Sequence, residues 1–214
     1  APSTTVSTIA FSADTGSSAT DFITKTATQT ISGTLSAVTV TGEVVKVSID
    51  NGATWQMATN TIGTNSFTLS GVTLTSSNTL QVRVEDAVGN AGVARTQAYV
   101  LDTTAPTVTV SLVGGADNTV SSQAGDANVV GTAEANSTVT IKTGATTLGT
   151  ASTDASGNFV YTLTAGNITT LGQGNDSITI TQTDTAGNIG TSNTFSFKVD
   201  TVAPTAPVFA LGTG

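Results

Sequence analysis

The sequence predicts an all-β chain of two tandem antiparallel β-sandwiches arranged end to end. Three observations carry this. Motifs recur at one spacing: Asp86-Ala87-Val88-Gly89-Asn90 returns as Asp184-Thr185-Ala186-Gly187-Asn188, and Asp102-Thr103-Thr104-Ala105-Pro106 returns as Asp200-Thr201-Val202-Ala203-Pro204; 184 − 86 and 200 − 102 both give 98 residues. Apolar residues alternate with polar ones in short, turn-bounded runs, the period of half-buried strands. Thr, Ser and Val dominate a chain of 214 residues that is 37% hydrophobic and 9% charged. That composition favours strands and argues against disorder.

In the first repeat, Ile9 and Phe11 mark an opening strand, followed by a polar loop over 12–21 and a second strand over 29–35. Val45, Val47 and Ile49 alternate with Lys46, Ser48 and Asp50 before an Asn51-Gly52 turn. Phe67 and Leu69 mark another strand. Leu80, Val82 and Val84 alternate with Gln81, Arg83 and Glu85; Asp86–Asn90 turns the chain, and Tyr99 and Leu101 face inward on the last strand.

The second repeat follows the same plan. Val108, Val110 and Leu112 open it, and Val129-Val130-Gly131-Thr132 echoes Ile31-Ser32-Gly33-Thr34. Val139 and Ile141 alternate with Thr140 and Lys142; Phe159, Tyr161 and Leu163 form one inward row; Ile178 and Ile180 match Leu80 and Val82; Phe195, Phe197 and Val199 close the repeat. Seven or so short strands per repeat are the signature of an antiparallel sandwich. The expected divisions are 1–102, 103–200, and 201–214 as a linker with the first-strand remnant of a third repeat, as in a piece cut from a longer array.

Alternating strand direction places the loops. In the second repeat the turns at Glu134-Ala135-Asn136, Asp154–Asn158 and Asp184–Asn188 return to the pole at which the Asp102 linker enters. Asp102, Glu134, Asp154 and Asp184 are therefore predicted to converge. Carboxylates brought close repel unless neutralised, and Ca²⁺, with six to eight oxygen ligands and tolerance of irregular loops, resolves the conflict. Asn188 or linker carbonyls complete the shell in this reading, and Asp86 and Asp200 are the repeat-related counterparts. The competing reading is that each aspartate caps its own turn. Asp14 and Asp21, and Asp117 and Asp126, sit in the long first loops at the opposite poles. They are read as solvated loop residues rather than a second cation site.

Six basic against 14 acidic residues give a net charge of −8, which disfavours nucleic acid and anionic membrane as partners. With no histidine and no cysteine, Ser-His-Asp chemistry, histidine metal sites and thiol nucleophiles are excluded, and the chain is expected not to be an enzyme. No apolar run reaches membrane-spanning length. Leu171–Asp176 matches a single turn of a calcium-binding β-roll, but that fold needs stacked copies, so an ordinary loop is expected. Three Asn-x-Ser/Thr matches are expected by chance in so Thr-rich a chain. Trp55 is expected to cover the sandwich edge, with an exposed sugar-stacking platform as the alternative.

Together, Asp102-Thr103-Thr104-Ala105-Pro106 and its copy at Asp200, the Asp-x-x-Gly-Asn turns at Asp86 and Asp184, Asp14–Asp21 and Gly131-Thr132-Ala133-Glu134 resemble the bacterial immunoglobulin-like repeats of giant, type I-secreted adhesins of the biofilm-associated class. The resemblance spans nearly the whole chain. It implies tandem immunoglobulin-like sandwiches in a secreted or cell-surface stalk, monomeric, packed against neighbouring modules of the same chain and stiffened by Ca²⁺ at the module junctions. Asp102 and Asp184 match its recurrent acidic positions better than Glu134 and Asp154 do. The first repeat departs from the pattern, with Leu35-Ser36 where the second has Ala133-Glu134, so Glu43 or Glu85 is expected to substitute there. A module that binds glycan or host protein, and an accessory module of a secreted polysaccharide-degrading enzyme, are the alternative functions.

Overall fold

Val45 and Val47 are completely buried while Lys46 between them is half-buried, and Leu80, Val82 and Val84 are buried along a neighbouring strand. This alternation is what folds the chain: each strand turns every second side chain into a core and leaves its other face to water. The structure, a computed structural model, describes residues 1–113, 117–122 and 125–207. It divides into two units. Unit 1 is Ala1–Ala105 together with Thr183–Ile189; unit 2 is Pro106–Gln182 with Gly190–Gly214.

Unit 1 contains β1 (Val6–Phe11), β2 (Ile23–Thr24), β3 (Thr28–Leu35), β4 (Val44–Ser48), β5 (Gln56–Met57), β6 (Thr59–Asn60), β7 (Ser66–Thr73), β8 (Asn78–Glu85) and β9 (Arg95–Leu101). They form two sheets, β1-β3-β7-β6 and β2-β9-β8-β4-β5. All pairings are antiparallel except β2 with β9. Ile31 and Phe67 from one sheet, and Val45, Val47, Leu80 and Val82 from the other, fill the core. Burying each such side chain contributes about 1.5–3 kcal/mol. Phe11 stacks edge-on against Phe22 and Tyr99, with centroids 5.1 and 5.7 Å apart. Ile9 and Leu69 are only half-buried, and Ile49 lies just beyond β4.

Unit 2 contains β10 (Ser111–Val113), β11 (Thr119–Val120), β12 (Asn128–Thr132), β13 (Thr138–Thr143), β14 (Thr146–Ser152), β15 (Asn158–Thr162), α1 (Ala165–Leu171), β16 (Gly174–Thr183), β17 (Ile189–Thr191) and β18 (Phe195–Val199). Its sheets are β10-β12-β15 and β11-β18-β16-β13-β14, with β17 beside β16. Val120, Val129, Val139, Ile141 and Ile180 are completely buried. Phe159 and Leu163 are buried as expected, while Tyr161 is half-buried and donates its hydroxyl to the Leu148 carbonyl at 2.8 Å.

Some expectations shift. The opening strand of unit 2 starts at Ser111, not Val108; before it, Thr109 donates to the Thr132 carbonyl and Val108 is buried without a strand of its own. The side chain of Leu112 lies outside the described residues. Leu171–Asp176 is the end of α1 followed by the start of β16. Thr164 caps that helix in a capping box with Asn167. No strand is found over 201–207, and the strand remnant expected further on, at 208–214, lies outside the described residues.

The echo of Gly33 in Gly131 has a packing cause. A Cβ on Gly33 would lie 2.0 Å from the Thr8 carbonyl oxygen and 2.7 Å from the Phe67 ring; on Gly131 it would lie 2.1 Å from the Thr109 oxygen and 2.8 Å from the Phe159 ring. Each glycine leaves room for a phenylalanine ring from the neighbouring strand and for the close approach of the Thr8 or Thr109 backbone. The following threonine makes the same bond in both units. Thr34 N–H donates to Thr8 Oγ1 at 2.9 Å, and Thr132 N–H donates to Thr109 Oγ1 at 3.0 Å.

Candidate functional site

Three of the candidate acids head turns of one design. In Asp86–Asn90, Asp154–Asn158 and Asp184–Asn188 the aspartate N–H donates to the asparagine carbonyl at 3.0, 2.8 and 3.0 Å, and the glycine N–H donates back to the aspartate carbonyl at 3.0, 3.0 and 3.2 Å. The aspartate Oδ1 accepts the asparagine N–H at 2.8, 2.9 and 2.8 Å. The sequence motif explains this. Glycine supplies the positive φ that the fourth position needs, and the short carboxylate reaches amides that would otherwise stay unbonded. Sequence reasoning singled out two of these turns as a motif; the third, Asp154-Ala155-Ser156-Gly157-Asn158, carries the same Asp-x-x-Gly-Asn signal and was legible in the same way. The Asn90 side-chain amide holds the Asp86 carboxyl below its ordinary value, and the Asn158 N–H does the same for Asp154.

The remaining candidates are placed as follows. In unit 1, the Asp102 carboxylate accepts the Thr104 N–H at 2.9 Å, and its main-chain carbonyl accepts the Asn188 side-chain amide at 2.9 Å. Asn188 also donates to Asp184 Oδ2 at 2.8 Å, so it links Asp184 to Asp102. In unit 2, Glu134 is clamped by the buried Gln182, which donates to Glu134 Oε2 at 2.8 Å and accepts the Glu134 N–H at 3.0 Å. The Glu134 loop touches the Asp154 turn through backbone: Asn136 N–H donates to the Asp154 carbonyl at 3.1 Å. Asp200 pairs with Lys198 at 2.9 Å, which lowers the carboxyl and raises the ammonium.

The acids considered as substitutes or as a second site are also engaged. Glu85, expected to stand in as a ligand, is buried against Lys46 at 2.7 Å and Arg83 at 2.5 Å. Two cations already neutralise it, and the Lys46 ammonium leads in holding its carboxyl below the ordinary value. Glu43 accepts the Val40 N–H at 3.2 Å. Asp14 Oδ2 accepts the Phe22 N–H at 3.0 Å, whereas Oδ1 is buried without a partner; burial pushes this carboxyl up, and Asp21 adds to the rise. Asp117 accepts the Thr119 N–H, and Asp126 accepts the Ser121 hydroxyl. Trp55 donates to the Gly52 carbonyl at 3.0 Å, and the Arg83 guanidinium covers one face of its ring at 3.8 Å.

The fit to calcium divides in two. The donor chemistry suits a hard cation: these are carboxylates and carbonyls, and a carboxylate oxygen that caps an amide keeps a second lone pair. Among the described residues no three acidic side chains come together as a metal-holding group. The structure brings Asp184, Asn188 and the Asp102 carbonyl together, and Glu134 beside the Asp154 turn. It spends each carboxylate on local hydrogen bonds.

Residues 1–103 match the family described as bacterial Ig-like domain, and residues 107–200 match the family described as bacterial Ig domain. The chain belongs to the bacterial immunoglobulin-like domains. As Ig-like domains they are a non-catalytic kind of fold. No curated protein matches the sequence. Among solved structures, the bacterial Ig-like pair is similar to a tetra-tandem repeat from the extending region of a large adhesion protein, at 24% identity over 93% of this chain and 50% of that one, with a TM-score of 0.38. It is similar to a 1.5-MDa bacterial ice-binding adhesin at 24% identity over 91% and 65%, with a TM-score of 0.43. It is also similar to fibronectin(III)-like modules of Clostridium thermocellum CbhA at 15% identity over 91% and 94%, with a TM-score of 0.49. The chain thus spans between half and two thirds of the two adhesin structures.

Proposed function

We propose that these bacterial Ig-like domains are non-catalytic, calcium-stiffened extender modules of a bacterial cell-surface adhesin that supports attachment or biofilm formation. One observation carries the reading: two successive domains repeat the same sandwich, the same glycine crossing at Gly33 and Gly131, and the same hydrogen-bonded acidic turn. Repetition of one framework multiplies length rather than chemistry. The lack of histidine and cysteine in the sequence is in keeping with a structural role.

Calcium enters the proposal through the turn acids. Asp184 and the Asp102 carbonyl already share Asn188, and Glu134 adjoins the Asp154 turn. Each grouping offers oxygen donors in a chain of net charge −8. A cation that binds only the folded chain adds RT ln(1 + [L]/Kd), about 1.4 kcal/mol at ten times Kd. Calorimetry in EDTA and in millimolar Ca²⁺ tests this. A higher melting temperature in Ca²⁺ is expected; equal temperatures would remove calcium from the account and leave an extender held by hydrogen bonds alone.

A further inference from the structure

The turns Asp86–Asn90 and Asp184–Asn188 share four hydrogen bonds between their aspartate, glycine and asparagine, although Val88 N–H donates to Asp86 Oδ1 in the first alone; yet the second turn is covered, while the first leaves Val88 exposed, with the Ala1 ammonium 3.9 Å from Asp86 Oδ2. Within unit 1 the loop over 12–25 lies on the second turn: the Thr15 hydroxyl donates to the Ala186 carbonyl at 2.5 Å and the Lys25 ammonium donates to the Gly187 carbonyl at 2.6 Å. Gly16, at φ 97°, approaches so closely that a Cβ there would lie 1.9 Å from the Thr185 oxygen. Ala186 is 1% exposed and Asn188 9%. On the first turn the matching residue, Val88, is 83% exposed, and nothing lies within 4 Å of where a Gly89 Cβ would stand.

The surroundings of the two turns correspond in part. At the same 98-residue offset, a Cβ on Gly92 would lie 3.5 Å from the Pro2 carbonyl oxygen, and one on Gly190 would lie 2.0 Å from that of Pro106. Val88 and Gly89 carry the carbonyls that correspond to those Thr15 and Lys25 engage on the second turn.

We propose that the Asp86–Asn90 turn is a docking surface for the 12–25 loop of a second copy of this module, which supplies one hydroxyl and one ammonium donor to the Val88 and Gly89 carbonyls. Lys25 in the incoming loop brings positive charge to a turn headed by Asp86, so the charges are complementary. An exposed valine then gains a cover, as Ala186 has. The contact needs no metal and does not depend on an adhesive role.

The chain lacks cysteine, which makes the test direct. Residues 1–104 are placed ahead of the full chain, so that Thr104 is followed by Ala1-Pro2 as it naturally is by Ala105-Pro106. Val88→Cys is introduced only in the downstream copy. The rate of thiol labelling in EDTA is compared with the same substitution in the unextended chain, and circular dichroism confirms that the added copy has formed its strands. Labelling is expected to slow several-fold, with Val93→Cys, 82% exposed in unit 1, unaffected. Thr15→Val with Lys25→Ala in the added copy is expected to restore the rate. An unchanged Val88→Cys rate beside a folded added copy overturns the proposal. So does protection that survives the loss of Thr15 and Lys25, because another surface would then be the occupant.

Discussion

The side-chain amide of Asn188 donates 2.9 Å to the main-chain carbonyl of Asp102, not to its carboxylate. This separates two roles that a cation-centred reading merges. The carbonyl is held by an amide already fixed by Asp184, while the Asp102 carboxylate only caps Thr104. Asn188→Ala should therefore lower stability by about 1–3 kcal/mol, from the loss of two side-chain hydrogen bonds at a buried residue. Asp102→Asn should leave stability nearly unchanged in EDTA. If calcium also uses the Asp102 carboxylate, that variant should weaken Ca²⁺ binding by titration calorimetry; if its affinity matches the parent, Asp102 contributes as a turn cap alone.

Gly131→Ala should destabilise unit 2 by about 1–3 kcal/mol, the range for overpacking. The added methyl meets a backbone oxygen at 2.1 Å, which cannot swing away as a flexible side chain would. Gly33→Ala should do the same to unit 1. Denaturant unfolding followed by fluorescence and by circular dichroism reads both, and a loss of less than a few tenths of a kcal/mol in either variant would show that the edge strand yields freely.

Acid should reach unit 1 through Glu85. In the folded chain its carboxyl is held below the ordinary glutamate value, with the Lys46 bond as the leading cause. A lowered folded value means that stability is fully present above about 4.5 and is lost as pH falls through the folded value. Glu85→Gln should cost about 1–3 kcal/mol at pH 7, because a buried charge-assisted bond is lost and two cations lose their partner. It should also flatten the acid limb of the stability profile. A variant whose acid limb matches the parent would place the titrating group elsewhere.

Asp14 runs in the opposite direction. Burial, with Asp21 nearby, raises its folded value above 3.8, so the ionised carboxylate destabilises the fold increasingly as pH rises through that value. Asp14→Asn keeps an oxygen for the Phe22 N–H and should raise the melting temperature at pH 7, with the gain vanishing at low pH, where the parent is protonated. A lower melting temperature at pH 7 would mean that the unpartnered Oδ1 is compensated in solution, a cation being the natural candidate.

Much of the sandwich was legible because large aliphatic side chains alternate without interruption. Val45 with Val47, Leu80 with Val82 and Val84, and Ile178 with Ile180 all point inward. The elements that escaped lack this signal. β14 buries Leu148 among small and polar residues; α1 is seven residues of mixed Gly, Asn and Thr held by a capping box rather than by an apolar stripe; and the parallel pairs β2–β9 and β11–β18 are two residues long and join distant segments. For the candidate site, the turn chemistry of Asp86 and Asp184 could be read directly, since Asp-x-x-Gly-Asn specifies its own hydrogen bonds. The partners of Glu134 and Glu85 could not, because Gln182 and Lys46 reach them only across strand pairings. Nor could the bond from Asn188 to the Asp102 carbonyl, whose partner is a main-chain atom and has no side-chain signature.

The most direct test of the calcium-stiffened extender is small-angle X-ray scattering of the full chain in millimolar Ca²⁺ and in EDTA, with the ensemble of intermodule angles fitted in each. The account predicts a larger maximum dimension and a narrower angular spread in Ca²⁺, with both sandwiches folded in either buffer. Superimposable scattering curves in the two buffers would contradict it.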